Sequence, residues 1–172
     1  EYAFSYCDQL LKIEIEKESK LTSISSDLFS WCQNLNSIKI PEDSKIKSIE
    51  NNSFGHTSIN SIFIPSEVEI IKENCLSGTR DLKSIIISPN NKNFKYEDKE
   101  CQIIVGKRYF SSETYDSIIF ANRNIENLTI PSSISYINSC AFQLCQRLKT
   151  IKIPENSKLK TISKGLFSFS SI

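Results

Sequence analysis

Histidine is the side chain best suited to acid–base chemistry near neutral pH, and the chain carries one, His56. It stands in a Gly-His-Thr segment, and nothing in the sequence places a nucleophile and an orienting acid beside it, as a catalytic triad requires. A surface turn residue is the simpler interpretation. The four glycines form no phosphate-binding loop, and the acidic residues lie mainly in polar turns. We therefore predict that this segment is not an enzyme and has no cofactor.

Six cysteines raise the question of disulfides or a metal site. Cys7, Cys32 and Cys145 recur at one phase of a repeat, just after an aromatic anchor, and Cys75 and Cys140 stand beside the anchors Leu76 and Phe142, as expected for small buried core residues. Stacked Cys7 and Cys32 would lie within disulfide range, but parallel side-chain vectors disfavour the bond. No Cys-x-x-Cys pair occurs, and Cys140 and Cys145 lack a second pair or a nearby histidine. We predict free thiols and no metal.

Composition narrows the classes of protein further. The 172 residues suffice for one domain, and 21 basic against 20 acidic side chains leave no basic stripe for a nucleic-acid partner. No apolar run approaches the ~18 residues of a transmembrane helix, and no signal peptide is visible. The chain begins and ends inside a repeat and contains no Met, so we expect a fragment of a longer protein. Any membrane attachment would then use other parts of that protein.

A recurring phrase organises the elements that would position any site. It reads apolar-x-x-Ile-x-Ile, with Leu128 in place of the first Ile in one copy, and Pro often follows. The alternation predicts a strand, and the Pro ends it because it cannot donate a ladder hydrogen bond. Leu10 to Leu35 is 25 residues and Ile125 to Leu148 is 23, a period typical of a solenoid. The copies begin at Leu10, Leu35, Ile59, Leu82, Ile125 and Leu148.

Two further apolar phases follow the strand in most units. The second is an apolar pair three residues apart, and the third is an aromatic or Leu anchor about five residues later. One unit cannot close a core alone, so neighbouring units must stack, with strands roughly 4.8 Å apart. The pairs are Leu21/Ile24, Ile46/Ile49, Val68/Ile71, Ile134/Ile137 and Leu159/Ile162, and the anchors are Phe29, Phe54, Leu76, Phe142 and Phe167, with Phe4 in a truncated first unit.

The run from Leu128 to Pro154 resembles the BspA-like leucine-rich repeat, whose pattern is Ile-Pro, spacer, Val-x-x-Ile, Ala-Phe, x-x-Cys, x-x-Leu, x-x-Ile-x-Ile-Pro. The resemblance recurs over nearly the whole chain. It implies a leucine-rich repeat solenoid with a parallel sheet on the concave face, and short strands, turns and irregular or 3-10 segments on the convex side. Such repeats occur in surface proteins of oral bacteria and of protists such as Trichomonas and Entamoeba. The implied role is adhesion at the cell surface, or as a secreted protein, to a host or microbial surface or matrix protein, without catalytic residues.

The stretch 88–120 breaks the period. It resembles the intercalated variant of the family, which has an Asn-x-x-Phe/Tyr segment, an acidic turn and an apolar strand. Here these are residues 93–98, then 101–105, followed by 117–120, and we interpret the stretch as a longer coil with extra short strands. A domain boundary there would need a linker rich in Pro, Gly and Ser, whereas this stretch stays rich in Ile, Phe and Tyr. We therefore predict a single solenoid domain over 1–172.

Binding is expected on the outward positions of the strands, because a solenoid presents rows of equivalent side chains. This row has charged ends and an apolar middle, Phe63 and Ile86, on adjacent units. An exposed aromatic beside an Ile has the composition of an interface hot spot, unless the stretch 88–120 covers it. The predicted protein-binding residues are Glu14, Lys39, Phe63, Ile86, Thr129 and Lys152.

Two Asn-x-Ser/Thr sequons offer glycosylation sites on a secretory route, at Asn51 in a turn and at Asn127 on a strand. Two other functions stay open at this point. The lack of a clear disulfide framework favours an intracellular scaffold that joins cytosolic partners. A structural spacer for another domain would tolerate charge reversal on the concave face.

Overall fold

The computed structural model describes residues 2–100, 102–108, 113–163 and 165–172. These residues form short strands joined by turns and bends, with no helix, and build a parallel-strand solenoid of about six turns. The strands are β1 (Lys12–Glu14), β2 (Ser23–Ile24), β3 (Ser37–Lys39), β4 (Ser48–Ile49), β5 (Ser61–Ile64), β6 (Ile70–Ile71), β7 (Ser84–Ile87), β8 (Phe94–Tyr96), β9 (Ile103–Gly106), β10 (Ser117–Ala121), β11 (Asn127–Thr129), β12 (Tyr136–Ile137) and β13 (Thr150–Lys152).

The chain divides into two compact units, residues 1–92 and 93–172. The single-domain assignment made from the sequence stays a prediction.

In the first unit, the recurring phrase forms parallel strands in the expected register. β1 pairs with β3 and β5 pairs with β7, so that Ile13 lies opposite Ile38 and Ile62 opposite Ile85. The inward side chains Ile38, Ile62 and Ile85 are buried, whereas their neighbours on the strand point outward. The predicted leucine-rich repeat solenoid is thus confirmed at the level of the residue pairs.

The second apolar phase forms its own parallel sheet in this unit, β2-β4-β6. Ile24 lies opposite Ile49, which in turn lies opposite Ile71. Ile24, Ile46, Ile49 and Val68 are almost fully buried. Each coil therefore has two short strands whose inward side chains share the core with the next coil, and neither strand is long enough to be stable alone.

The anchor phase forms a column of stacked rings without any strand. Phe29 packs on Phe4 at 5.5 Å between ring centroids and on Phe54 at 5.6 Å, with 16° between the planes in both pairs. The backbone turns around each ring through left-handed conformations two residues before and after it, for example at Asn52 and His56 around Phe54. Amide groups at these turns donate to the next coil, so that the turns continue the ladder between the coils.

The second unit repeats the plan and adds the intercalated strands. β11 pairs with β13 in parallel, and Phe142 stacks on Phe167 at 5.5 Å. Its core also contains Ile118 and Val105, which come from the stretch that breaks the period. The predicted extra strands are present as an antiparallel meander, β8-β9-β10, and β10 pairs in parallel with β12. The antiparallel order was not predicted.

The described cysteines Cys7, Cys32, Cys75, Cys140 and Cys145 are free thiols, while Cys101 lies outside the described residues. The Cys32 thiol donates to the carbonyl oxygen of Phe4 at 2.9 Å, one coil away. Burial raises the pKa of Cys145 to about 11, and the nearby Arg123 only partly opposes this shift. Cys32, Cys75 and Cys145 are buried and pack as small core residues, as the sequence predicted, whereas Cys7 and Cys140 are only partly buried. Within the described ranges, no helix is long and apolar enough to cross a bilayer.

Replacing Phe54 by Ala tests whether the anchor column holds the coils together. Phe54 is 0% exposed, so we expect Phe54→Ala to lower the free energy of unfolding by about 3–5 kcal/mol. The matched control is Phe4→Ala, because Phe4 stacks on the same neighbour but is 48% exposed. The control should lose less than half as much in urea unfolding followed by circular dichroism. Equal losses would show that the stack itself, and not burial of the ring, holds the coils.

Candidate functional site

The six residues predicted to bind a partner lie on the strands of the first phase and form three register pairs. Glu14 lies opposite Lys39, Phe63 opposite Ile86, and Thr129 opposite Lys152. All are exposed except Phe63, which is half-buried. We call these six residues the outward row. The structure brings the first four together within the first unit and the last two within the second.

The charged end of the outward row in the first unit is neutralised internally. The Lys39 ammonium donates to the Glu14 carboxylate, and the Lys12 ammonium lies 3.1 Å from the same carboxylate. The hydrogen bond from Lys39, followed by that from Lys12, lowers the pKa of Glu14 below its ordinary value. The carboxylate therefore stays charged and engaged, and a partner would have to break these ion pairs to use it.

Phe63 and Ile86 form an apolar pair at the centre of this row. They lie on β5 and β7, whose inward neighbours Ile62 and Ile85 are buried and fix both strands. Ile86 is 50% exposed. Hydroxyl side chains flank the pair, since Ser61 lies opposite Ser84 one step earlier on the same strands. The result is an apolar spot on a rigid sheet with an uncharged polar border.

In the second unit the outward row is polar. Lys152 is exposed, and no described residue forms an ion pair with it. One step earlier, the Thr150 hydroxyl donates to the Asn127 side-chain oxygen at 2.7 Å. Beside them, Glu126 binds Lys149 at 2.9 Å and Arg147 at 3.1 Å, and the contact with Lys149 is the main reason that the pKa of Glu126 is lowered. This part of the row has no apolar anchor.

The two sequons differ in accessibility. Asn51 is exposed in a turn, but the hydroxyl residue of its sequon, Ser53, is 0% exposed, and its Oγ has no hydrogen-bond partner among the described residues. Asn127 and Thr129 are both exposed on β11. A glycan on Asn127 would project from the strand that carries the outward row. Glycosylation at either site stays a prediction.

Sequence analysis missed a second row of side chains, two residues after the anchors. Tyr6, Trp31 and His56 stack on one another across three coils, and we call them the aromatic column. The centroids of Tyr6 and Trp31 are 6.0 Å apart with 3° between the planes, and those of Trp31 and His56 are 3.9 Å apart with 11°. The equal spacing from Phe4, Phe29 and Phe54 was the available signal.

His56 belongs to this column and is more than a surface turn residue. It is half-buried in a left-handed turn, and the exposed Tyr6 and Trp31 adopt the same left-handed backbone. Burial, and then the positive charge of Arg80, lower the pKa of His56 below the ordinary 6.5. The imidazole is therefore neutral at pH 7 and packs as an aromatic ring. No group of His, Cys, Asp and Glu suited to a metal ion occurs in the described parts of the chain.

The neutral state of His56 gives the fold a dependence on pH. Because the folded state holds this pKa below the unfolded value of 6.5, the unfolded chain binds the proton first as the pH falls. The stabilisation is complete above the unfolded pKa, declines as the pH falls below it and is fully lost only below the folded pKa, so the melting temperature should decrease between about pH 7.5 and about pH 5.5. Circular dichroism of His56→Phe, which keeps a ring in the column, checks this.

His56→Phe should show no such decrease over this interval. The lowered pKa values of Glu14 and Glu126 place their own titration below their ordinary 4.5, outside the window. A decrease of the same size in the variant would assign the acid sensitivity to other groups.

Comparison with known proteins supports the fold and one family. A search among curated proteins gave no match. A leucine rich cell surface protein from Faecalibacterium prausnitzii A2-165 is 25% identical, with a TM-score of 0.74 over 90% of this chain and 38% of that protein. The pneumococcal vaccine antigen PcpA is 22% identical, with a TM-score of 0.73 over 90% of this chain and 39% of the antigen, a likeness that shows the fold alone.

The chain spans about two fifths of the length of these two structures, since it covers 38% and 39% of them. A family model described as the BspA type leucine rich repeat region matches residues 1–102 and 109–172, in six copies. The matched copies are the coils whose register pairs, buried isoleucines and anchor rings are described above. The chain therefore belongs to the family of BspA-type leucine-rich repeat proteins.

Proposed function

We propose that this chain is a non-enzymatic protein-binding module of a cell-surface protein that works in adhesion or host interaction. Its partner is a host or microbial surface or matrix protein. The observation that carries the proposal is the pair Phe63 and Ile86, two apolar side chains that lie side by side on paired strands and face away from the core.

The energetics of interfaces favour this pair as the anchor of a partner. Burying a large apolar side chain that was exposed contributes about 1.5–3 kcal/mol, and a few central residues commonly carry most of a binding energy. Ile86 still exposes half of its surface, and the strands beneath it are fixed by the buried Ile62 and Ile85. Little conformational entropy is then lost on binding, which makes even a small apolar spot effective.

The electrostatics of the row suggest that binding depends little on salt. Glu14 and Lys39 satisfy each other, and Ser61 and Ser84 border the apolar pair without charge. A partner would therefore gain mainly from apolar contact, a term that salt does not screen. This distinguishes the proposed module from one that captures a partner by charge.

Kinship supports the location at a cell surface. The Faecalibacterium protein of the same fold is described as a cell surface protein, and the pneumococcal structure as a vaccine antigen. Members of the family and these neighbours are leucine-rich repeat proteins, which are usually non-enzymatic. These comparisons support a surface role and leave the ligand to experiment.

Binding of the soluble chain to host epithelial cells and to extracellular-matrix proteins tests the proposal. We expect Phe63→Asp/Ile86→Asp to weaken binding by at least about tenfold, because each tenfold change corresponds to ~1.4 kcal/mol and the pair supplies more than that. The matched control is Leu21→Asp/Ile70→Asp. It adds the same charges at side chains of the same unit that are 40% and 41% exposed but lie outside the outward row.

Circular dichroism and urea unfolding of each variant separate lost binding from lost folding. If the double variant is destabilised through the half-buried Phe63, Ile86→Asp alone serves as the test. Equal binding of the native chain, the variant and the control would move the site off the row. Absence of binding by all three would contradict the adhesive role of this segment and favour the scaffold or the spacer.

A further inference from the structure

A cleft of about 320 Å³ lies in the first unit beside the aromatic column, away from the outward row. It extends across three successive coils. Its walls include the rings of Trp31 and His56 and the polar side chains of Gln33, Ser58, Arg80 and Asp81. The volume is at the lower end of the ~300–1,000 Å³ found for ligand pockets.

The cleft exists because the aromatic column ends at a glycine. Gly78 occupies the position of the next ring, two residues after the anchor Leu76, and adopts the same left-handed backbone with φ +69°. A Cβ atom at Gly78 would lie 2.4 Å from His56 Nδ1, so the imidazole occupies space that a side chain would fill. The coil of Gly78 therefore carries no side chain beyond His56, whereas the three preceding coils of this unit carry the rings of Tyr6, Trp31 and His56.

Three polar side chains around the cleft are not engaged by the fold. Gln33, Arg80 and Asp81 are exposed, and within the described residues their side chains form no hydrogen bond or ion pair. Thr57 in the same lining does donate, to the Phe54 carbonyl oxygen at 2.9 Å. The lining of the cleft thus offers donors and acceptors that point to an external partner.

The chemistry of this lining selects a ligand class. The amide of Gln33 and the hydroxyl of Ser58 both donate and accept, Arg80 donates, Asp81 accepts, and the two charges cancel. A sugar ring matches this set, because each of its hydroxyls both donates and accepts. The faces of the Trp31 ring stack on Tyr6 and His56, so only the exposed edge of the indole is open to a ligand. We propose that the cleft binds one neutral saccharide unit of a glycan through hydrogen bonds to its polar lining, beside the edge of Trp31.

The charges disfavour anionic ligands. Asp81 stands beside Arg80 in the lining, and the first unit carries 13 acidic against 10 basic side chains. A sulfated or phosphorylated ligand would meet no excess of positive charge there. The inference is independent of the proposed function, since it uses none of the residues of the outward row.

The chain contains its own reporter for the test, because Trp31 is the only tryptophan in the sequence. The experiment is a fluorescence titration of the soluble chain with neutral sugars, namely N-acetylglucosamine and its short oligomers, lactose and a mannose trisaccharide. Sulfated and sialylated glycans form the comparison series. We expect saturable changes in Trp31 emission with at least one neutral glycan, and calorimetry of the same pairs detects any binding that leaves the fluorescence unchanged.

Two variants keep the reporter and remove polar contacts, Gln33→Ala and Arg80→Ala. Each should weaken binding at least tenfold. Gln146→Ala is the matched control: Gln146 stands four residues after Phe142, as Gln33 does after Phe29, but its coil carries Leu144 in place of the tryptophan. The control should bind like the native chain.

Three results would overturn the proposal. The first is no saturable binding of any neutral glycan by either method. The second is binding of anionic glycans alone, with an affinity that falls as salt rises, which would indicate a charge-driven site. The third is an equal loss of binding in Gln146→Ala, which would show that the contact is not made in this cleft.

Discussion

In-register parallel pairing between successive coils is the constraint on which this structure depends. A coil alone leaves its apolar side chains open and its backbone donors without partners, and only the next coil in the same register satisfies both. The pairing is not limited to the strands. In the turns around the anchors, the Trp31 amide donates to the Gly55 carbonyl oxygen at 2.8 Å and the His56 amide to that of Ser77 at 2.7 Å. Hydrogen bonds between coils therefore extend beyond the strands into the turns.

Register pairing places each residue against its equivalent on the next coil. A side chain must therefore be compatible both with its own coil and with the equivalent side chains above and below it. Aromatic side chains are stabilised by this stacking of equivalent positions, as in the stacked pairs that include Phe29 and Trp31. Charges would repel, and the column that carries Glu14 has Lys39 next to it. The left-handed backbone at bulky residues such as Trp31 costs on the order of 1–2 kcal/mol, which the ladder bonds and ring stacking of the same turn offset.

Sequence periodicity was sufficient to predict the solenoid because the inward residues of the coils outside the stretch 88–120 obey it. The phrase that includes Ile62 and Ile64 predicted both the strand and its buried face, and the anchors predicted the packing of Phe54. The antiparallel pairing of β8, β9 and β10 was not predicted. Short apolar runs in a stretch without a period do not indicate which strands pair or in which direction. For the candidate site, the sequence supplied the outward row but not the cleft. A cleft depends on Gly78 being placed against His56 across one coil, and pairing of that kind is invisible until the register is known.

Positions that carry the same kind of side chain on every coil do not distinguish one repeat protein from another. The two candidate surfaces of the first unit both lie where a coil carries a different kind of side chain from its neighbours. Phe63 and Ile86 are apolar members of a row that is otherwise polar or charged, and Gly78 is the member without a ring at the end of the aromatic column. The fold tolerates these changes because its stability comes from the inward residues, which stay regular on the same coils: Ile62 and Ile85 beneath the apolar pair, and Leu76 beside the glycine, remain buried. On the proposed function, stability rests on the inward side chains of the strands and binding on the outward ones, so that a change of partner would need no change of the core.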